Sequence, residues 1–161
     1  MLDTMQIQLM EESFMYNAVG IDASKFKSTV TVIQPAGVVI RKPFDVLHTS
    51  SELNTLVAYL KSLEGETRAV IECTGRYHEP VVKSLEDAGI FISAVNPKLI
   101  KGQKQNSLRK VKSDPADARK IARYALDNWA ELRQYSSMDT IREQLKTLNS
   151  QFDFFMKQKV A

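Results

Sequence analysis

A single cysteine, Cys73, stands among the 161 residues, so the chain has no internal disulfide framework. Thiol poverty of this kind suits a reducing cytoplasm, and a cytoplasmic location is the expectation. There are only two histidines, His48 and His78, which with one cysteine argues against a zinc site of ordinary spacing. No apolar stretch approaches the roughly 20 residues that cross a bilayer, so no membrane association is expected. The N-terminus carries Glu11 and Glu12 where a secretory signal would carry lysine or arginine. What remains is a chain with 43% hydrophobic and 25% charged residues, an ordinary soluble composition long enough for one domain.

The modest net charge of +3 conceals an asymmetry. Between Lys98 and Arg123 lie Lys98, Lys101, Lys104, Arg109, Lys110, Lys112, Arg119, Lys120 and Arg123, against only Asp114 and Asp117. Nine cations against two anions make that stretch +7, and the rest of the chain is net acidic. Concentrated positive charge is the footprint of a polyanion-binding surface, although a solvated loop can carry it too.

Residues 1–15 show no firm period and read as an extension. Ala18-Val19-Gly20-Ile21-Asp22 then reads as a buried strand with a carboxylate at its end. Ser28–Ile33 is β-branched, and Pro35-Ala36-Gly37 turns it into a third strand at Val38-Val39-Ile40. Ser50 or Ser51 can cap a helix whose stripe is Leu53, Leu56, Val57, Leu60 and Leu63. Arg68–Cys73 is a fourth strand, again with an acid near its end. Val81, Val82, Leu85 and Ala88 mark a second helix, closed by Gly89, and Ile90–Val95 is a fifth strand. Lys98–Ser113 lacks hydrophobic period and reads as a short helical turn followed by a mobile loop. Three strands in a meander followed by alternating helix and strand predict an α/β fold with a mixed five-stranded, ribonuclease H-like sheet flanked by helices.

Val111–Arg123 opens the next helix, with Asp114 expected at the N-cap, Pro115 at the first helical position and Asp117 at the third. Its apolar face is Ile121, Ala122, Ala125 and Leu126. Finally Ile141, Leu145, Leu148, Phe152 and Phe155 recur in steps of four and three, a C-terminal heptad-patterned helix. It can pair with another chain or dock on the domain's own core. Ending inside this pattern at Ala161, the sequence reads as part of a larger protein. The expected organisation is an extension over 1–15, a domain over 16–135, and a coiled-coil or connector helix starting within 138–161.

Asp22 and Glu72 are costly residues for apolar strands. In this strand order the first and fourth strands are neighbours, so their acids lie close, and close carboxylates repel unless a cation compensates. The helix start can bring Asp114 and Asp117 to the same edge. Four carboxylates without histidine or cysteine form a hard-oxygen set suited to magnesium or manganese. Two such metals roughly 3.5–4 Å apart can cleave a phosphodiester, with the neighbouring basic segment holding the nucleic-acid backbone. The bland alternative makes Asp22 a strand-end turn residue, Glu72 a partner of Arg68 or Arg76, and the aspartates helix caps.

Gly20-Ile21-Asp22-Ala23-Ser24-Lys25, Ile71-Glu72-Cys73-Thr74-Gly75-Arg76-Tyr77-His78, Asn96-Pro97 and Lys112-Ser113-Asp114-Pro115-Ala116-Asp117-Ala118 follow one another in a telling order. Over Tyr16 to Leu126 the sequence resembles the Asp-Glu-Asp-Asp (DEDD) transposases of the insertion-sequence one-ten family, which includes the Piv-type DNA invertases. The resemblance implies a RuvC-like domain with Asp22, Glu72, Asp114 and Asp117 as catalytic and metal-binding tetrad. It implies DNA recombination, a structured guide RNA as partner, and a coiled-coil segment leading to a second domain with a participating serine, which this sequence does not contain. Lys25, Arg76, Lys98, Lys101, Lys104, Arg109, Lys110, Lys112 and Arg119 are the expected nucleic-acid contacts, and the heptad helix is the expected route to a homo-oligomer. Cys73 reads as a small core residue, His78 as a phosphate contact rather than a metal ligand, and Trp129 and Tyr135 as packing.

Two alternatives stay open. One is a non-cleaving remnant that binds nucleic acid and dimerises; the other is a Holliday-junction resolvase of the RuvC type. A sugar-kinase or actin-like ATPase also begins Gly-Ile-Asp, but needs a glycine soon after the acid, where Ala23, Ser24 and Lys25 stand here.

Overall fold

The computed structural model describes residues 15–73, 76–101 and 113–159. Five strands form one sheet: β1 (Tyr16–Ala23), β2 (Lys27–Gln34), β3 (Val38–Leu47), β4 (Glu66–Glu72) and β5 (Phe91–Val95). Their order is β3-β2-β1-β4-β5. β1–β2 and β2–β3 pair antiparallel, whereas β1–β4 and β4–β5 pair parallel. The sheet is therefore mixed, and the first and fourth strands are neighbours as the sequence indicates. The helices are α1 (Ser50–Lys61), α2 (Glu79–Asp87), α3 (Pro97–Lys101), α4 (Asp114–Asp127) and α5 (Ser137–Lys159).

Side-chain alternation divides the core. Val19, Ile21, Val30, Val32, Ala69, Ile71 and Ile92 face the α1/α2 side, where Leu53, Leu56, Leu60, Val81, Val82 and Leu85 meet them. Ala18, Val70 and Val95 face the other side, with Ile121, Ala122 and Ala125 of α4. There α4 lies on the sheet backbone itself. A Cβ at Gly20 would overlap the Ala118 carbonyl oxygen and the Ala122 nitrogen, so only glycine admits this approach.

The structure moves several expected boundaries. β3 extends past the expected Val38–Ile40 to Leu47, through a stretch that holds Arg41, Lys42, Pro43 and Asp45 and buries only Val46. Helix α1 is capped by Thr49, not Ser50 or Ser51: the Thr49 hydroxyl accepts from the Glu52 N–H at 3.4 Å, and Leu47 N–H donates to the Glu52 carboxylate at 2.8 Å. The pair resembles a capping box, except that the N3 carboxylate reaches the Leu47 N–H two residues before the cap and not the N–H of Thr49 itself. Ser113, in extended conformation, is the N-cap of α4, which shifts Asp114 from the cap to the first helical position. The Asp117 N–H accordingly donates to the Ser113 carbonyl at 3.0 Å. On α4, Ala118 is buried in place of Leu126, which is only partly covered.

The seam of α5 does not dock on the domain core. Ile141, Leu145, Leu148, Phe152 and Phe155 are all exposed, by 49% to 65%. Among the described residues no helix is long and apolar enough to cross a membrane. Of the expected extension over 1–15, residues 1–14 lie outside the described residues.

Candidate nucleic-acid-processing site

Asp22 sits within β1 opposite Thr29 of β2, and it is partly buried. The parallel ladder between β1 and β4 closes at Ile21 with Ile71, so the next residues along, Asp22 and Glu72, lie side by side at the carboxyl ends of adjacent strands. Gly20 and Asp22 share a face by alternation, and Gly20 is the residue on which α4 rests. Glu72 pairs with Val95, whose side chain packs with α4. Both carboxylates therefore belong to the α4 face.

Two contacts fix the direction of α4. At its far end Trp129 stacks on Tyr16, the first residue of β1, with ring centroids 4.8 Å apart. Arg68 of β4 donates to the Trp129 carbonyl at 2.6 Å and lays its guanidinium 4.8 Å from the Trp129 ring. Asp114, at the start of α4, is close enough to Lys27 of β2 for its charge to favour the ammonium form. The helix thus runs opposite to β1, and its acidic first turn stands at the edge that Asp22 and Glu72 occupy.

A shared edge is not yet a shared pocket. Among the described residues no three His, Cys, Asp or Glu side chains stand close enough together to hold a metal ion. Asp117, 24% exposed, is engaged by Lys120 at 2.8 Å. The arrangement is four oxygen-donor groups from three elements facing one edge, a set whose chemistry fits a hard divalent cation. Of the partners that would make Glu72 structural, Arg68 pairs with Glu66 at 2.7 Å, and Arg76, 81% exposed, comes within 3.9 Å of Glu79.

Of the expected phosphate contacts, Lys25, Arg76, Lys98 and Arg119 are exposed. Lys25 lies in the β1–β2 turn with its ammonium 5.1 Å from the Phe26 ring centroid. The backbone of Lys101 ends α3. Lys104, Arg109, Lys110 and Lys112 lie outside the described residues. His78 is buried at 8% exposure, and its Nδ1 has no hydrogen-bond partner among the described residues. His78 is the N-cap residue of α2, and its burial leaves little of the ring for the phosphate contact expected of it.

Sequence reasoning passed over Lys27, Thr29 and Asp45. Lys27 Nζ lies 2.6 Å from Asp45 Oδ2, and the buried Thr29 hydroxyl donates to Asp45 Oδ1 at 2.8 Å. The bond to Asp45 raises the Lys27 pKa, and Lys27 with Thr29 lowers that of Asp45. The available signal was register: Lys27 and Thr29 share a strand face, and Thr29 is opposite Asp22.

The profile of the DEDD transposases of the insertion-sequence one-ten family, described as transposase, matches residues 19–161. The chain belongs to that family. This transposase domain is also similar in fold to Thermus thermophilus RuvC. In complex with a Holliday junction substrate, that protein aligns at a TM-score of 0.52 and 14% identity, over 73% of this chain and 96% of the other. A further T. thermophilus RuvC structure aligns at 0.51 and 15%, with the same coverage. No curated protein matches the chain.

Proposed function

We propose that this transposase domain performs divalent-metal-dependent DNA phosphodiester cleavage and strand transfer, with Asp22, Glu72, Asp114 and Asp117 as its metal-binding, catalytic carboxylates. The observation that carries the reading is the side-by-side placement of Asp22 and Glu72 at the ends of two parallel strands, on the face where the acidic first turn of α4 arrives. Magnesium or manganese bound there would supply Lewis-acid activation of the attacking oxygen and stabilisation of the leaving oxygen.

The chain's own contribution divides by element. Asp22 and Glu72 are fixed by hydrogen-bonded ladders and offer rigid oxygen donors, whereas Asp114 and Asp117 belong to a helix start that can adjust around a cation. Lys25, Arg76, Lys98 and Arg119, with Lys101, Lys104, Arg109, Lys110 and Lys112, take backbone phosphates and set the strand in register. The RuvC likeness supports a branched DNA substrate, and family membership supports a structured guide RNA as partner. The exposed seam of α5 supports homo-oligomer formation, and complete exchange calls on a serine-bearing second domain. We place the RuvC-like domain at 16–135 and the connector helix from 138.

The test is cleavage of branched and duplex DNA in magnesium or manganese by the wild-type chain and by Asp22→Asn. Loss of a metal ligand should lower cleavage by about 10²-fold or more while DNA binding persists. Undiminished cleavage by Asp22→Asn overturns the assignment. The spacing of the acids favours one second reading, a nucleic-acid-binding module that does not cut. Wild-type binding without metal-dependent nicking would select it.

A further inference from the structure

Lys27 opens β2 at the edge where the carboxylates gather. Its side chain is 40% exposed, so the ammonium is reachable from solvent. An ammonium carries three donors, and Asp45 takes one of them at 2.6 Å. Asp45 is itself held by the Thr29 hydroxyl, and Thr29 is only 2% exposed. The buried hydroxyl therefore fixes the carboxylate, and the carboxylate fixes the ammonium. Thr29 pairs with Asp22 across the ladder, which puts Lys27, Thr29 and Asp22 on one face. Solvent-exposed ion pairs contribute little to stability, so a buried support for such a pair calls for another use. Asp45, Asp22, Glu72, Asp114 and Asp117 gather at the edge, against Lys25 in the adjoining turn and Lys120 paired with Asp117, so acids outnumber cations and a phosphate backbone entering it meets like charge. A cation held at a fixed position answers that repulsion on the β2 side, opposite to Glu72.

We propose that Lys27, aimed by Asp45 and Thr29, contacts a backbone phosphate of the DNA strand entering the Asp22–Glu72 edge from the β2 side. The assignment rests on the reading of that edge as a DNA-processing site, and it adds a phosphate-contacting residue outside the basic segment. Lysine serves here as a point charge, so arginine can replace it in part, whereas glutamine removes the charge and keeps most of the stem.

The experiment measures binding of a four-way DNA junction over a range of salt, with EDTA and with magnesium, for wild type, Lys27→Gln, Lys27→Arg and Asp45→Asn. Lys27→Gln should weaken binding about tenfold at low salt and lower the salt slope by about one counterion. Lys27→Arg should keep the slope, and Asp45→Asn should weaken binding by a smaller factor with the slope retained. Thermal melting of each variant checks folding, and an unchanged slope in folded Lys27→Gln overturns the proposal. Cleavage scored in the magnesium samples separates the two claims. A Lys27-dependent slope without wild-type cleavage refutes the catalytic reading and leaves the phosphate contact standing. No junction binding by wild type refutes both.

Discussion

The two faces of the sheet are built on opposite rules. The α1/α2 face is filled by branched and bulky side chains, with Leu53, Leu56, Leu60, Val81, Val82 and Leu85 pressed on valines and isoleucines of the strands. Side chains of that size hold the helices off the sheet at ordinary packing distance. The α4 face uses Gly20, Ala118, Ala122 and Ala125, and the helix backbone itself touches β1. Both faces bury apolar surface, yet only the close-packed one carries the carboxylates. The difference shows what small residues do here: they bring the start of a helix within reach of strand-end acids.

Substitution can break this contrast. Leu85→Ala on the α1/α2 face should have the largest effect on stability, about 4 kcal/mol, through a cavity at a fully buried site. Urea unfolding measures it, and the proposed metal-dependent cleavage, per folded molecule, should remain near wild type. Gly20→Ala should cost about 3 kcal/mol, the upper end for overpacking, because the added methyl meets backbone atoms of α4. It should also reduce cleavage per folded molecule, since α4 must lift and take Asp114 and Asp117 with it. If both variants lose cleavage equally, the division of labour between the faces is wrong.

Arg68→Ala tests the far end of α4 and should cost about 2 kcal/mol in thermal or urea unfolding. The guanidinium hydrogen-bonds the Trp129 carbonyl and lies near both the Phe91 and Trp129 rings, so Arg68→Lys should recover only part of the loss.

The smallest effect is a pH dependence on the α1/α2 side. His48 Nε2 lies 2.8 Å from Ser28 Oγ, and burial lowers its pKa from the ordinary 6.5. As pH falls through that ordinary value, the unfolded chain takes a proton that the folded chain resists. Stability should be full above about 6.5 and decline below it. His48→Gln should flatten the change in urea midpoint between neutral and mildly acidic buffer, with cleavage at neutral pH unaffected.

Much of this was legible from residue patterns. Strand order followed from the element sequence, and Asp22 and Glu72 stood out as acids in apolar strands. What escaped depended on partners distant in sequence. The apolar pattern of β3 stops short of its end because an edge strand needs no buried run, and Arg41 settles over Phe44 and Tyr59, 3.9 Å and 4.5 Å from their ring centroids. Ser50 and Ser51 are as good cap residues as Thr49, and only the Glu52 contacts with Thr49 and Leu47 select the cap. Ala118 gave no strong apolar signal, because its burial follows from Gly20 having no side chain. Lys27 reads as any surface lysine until register places it beside Asp22. The packing role expected of Trp129 is visible in its stack on Tyr16.

The ladders that fix Asp22 also order its assembly in time. β1 joins β2 through a tight turn, in which the Ser24 N–H and hydroxyl both donate to the Lys27 carbonyl at 2.9 Å and 2.8 Å. That hairpin is local and can close on the microsecond scale of such elements, roughly 1–10 μs. The β1–β4 ladder instead joins Ile21 to Ile71 and must close a long intervening loop. Asp22 and Glu72 should therefore meet late, after the meander has formed, and a nascent chain would acquire the acid pair only once its parallel sheet is in place.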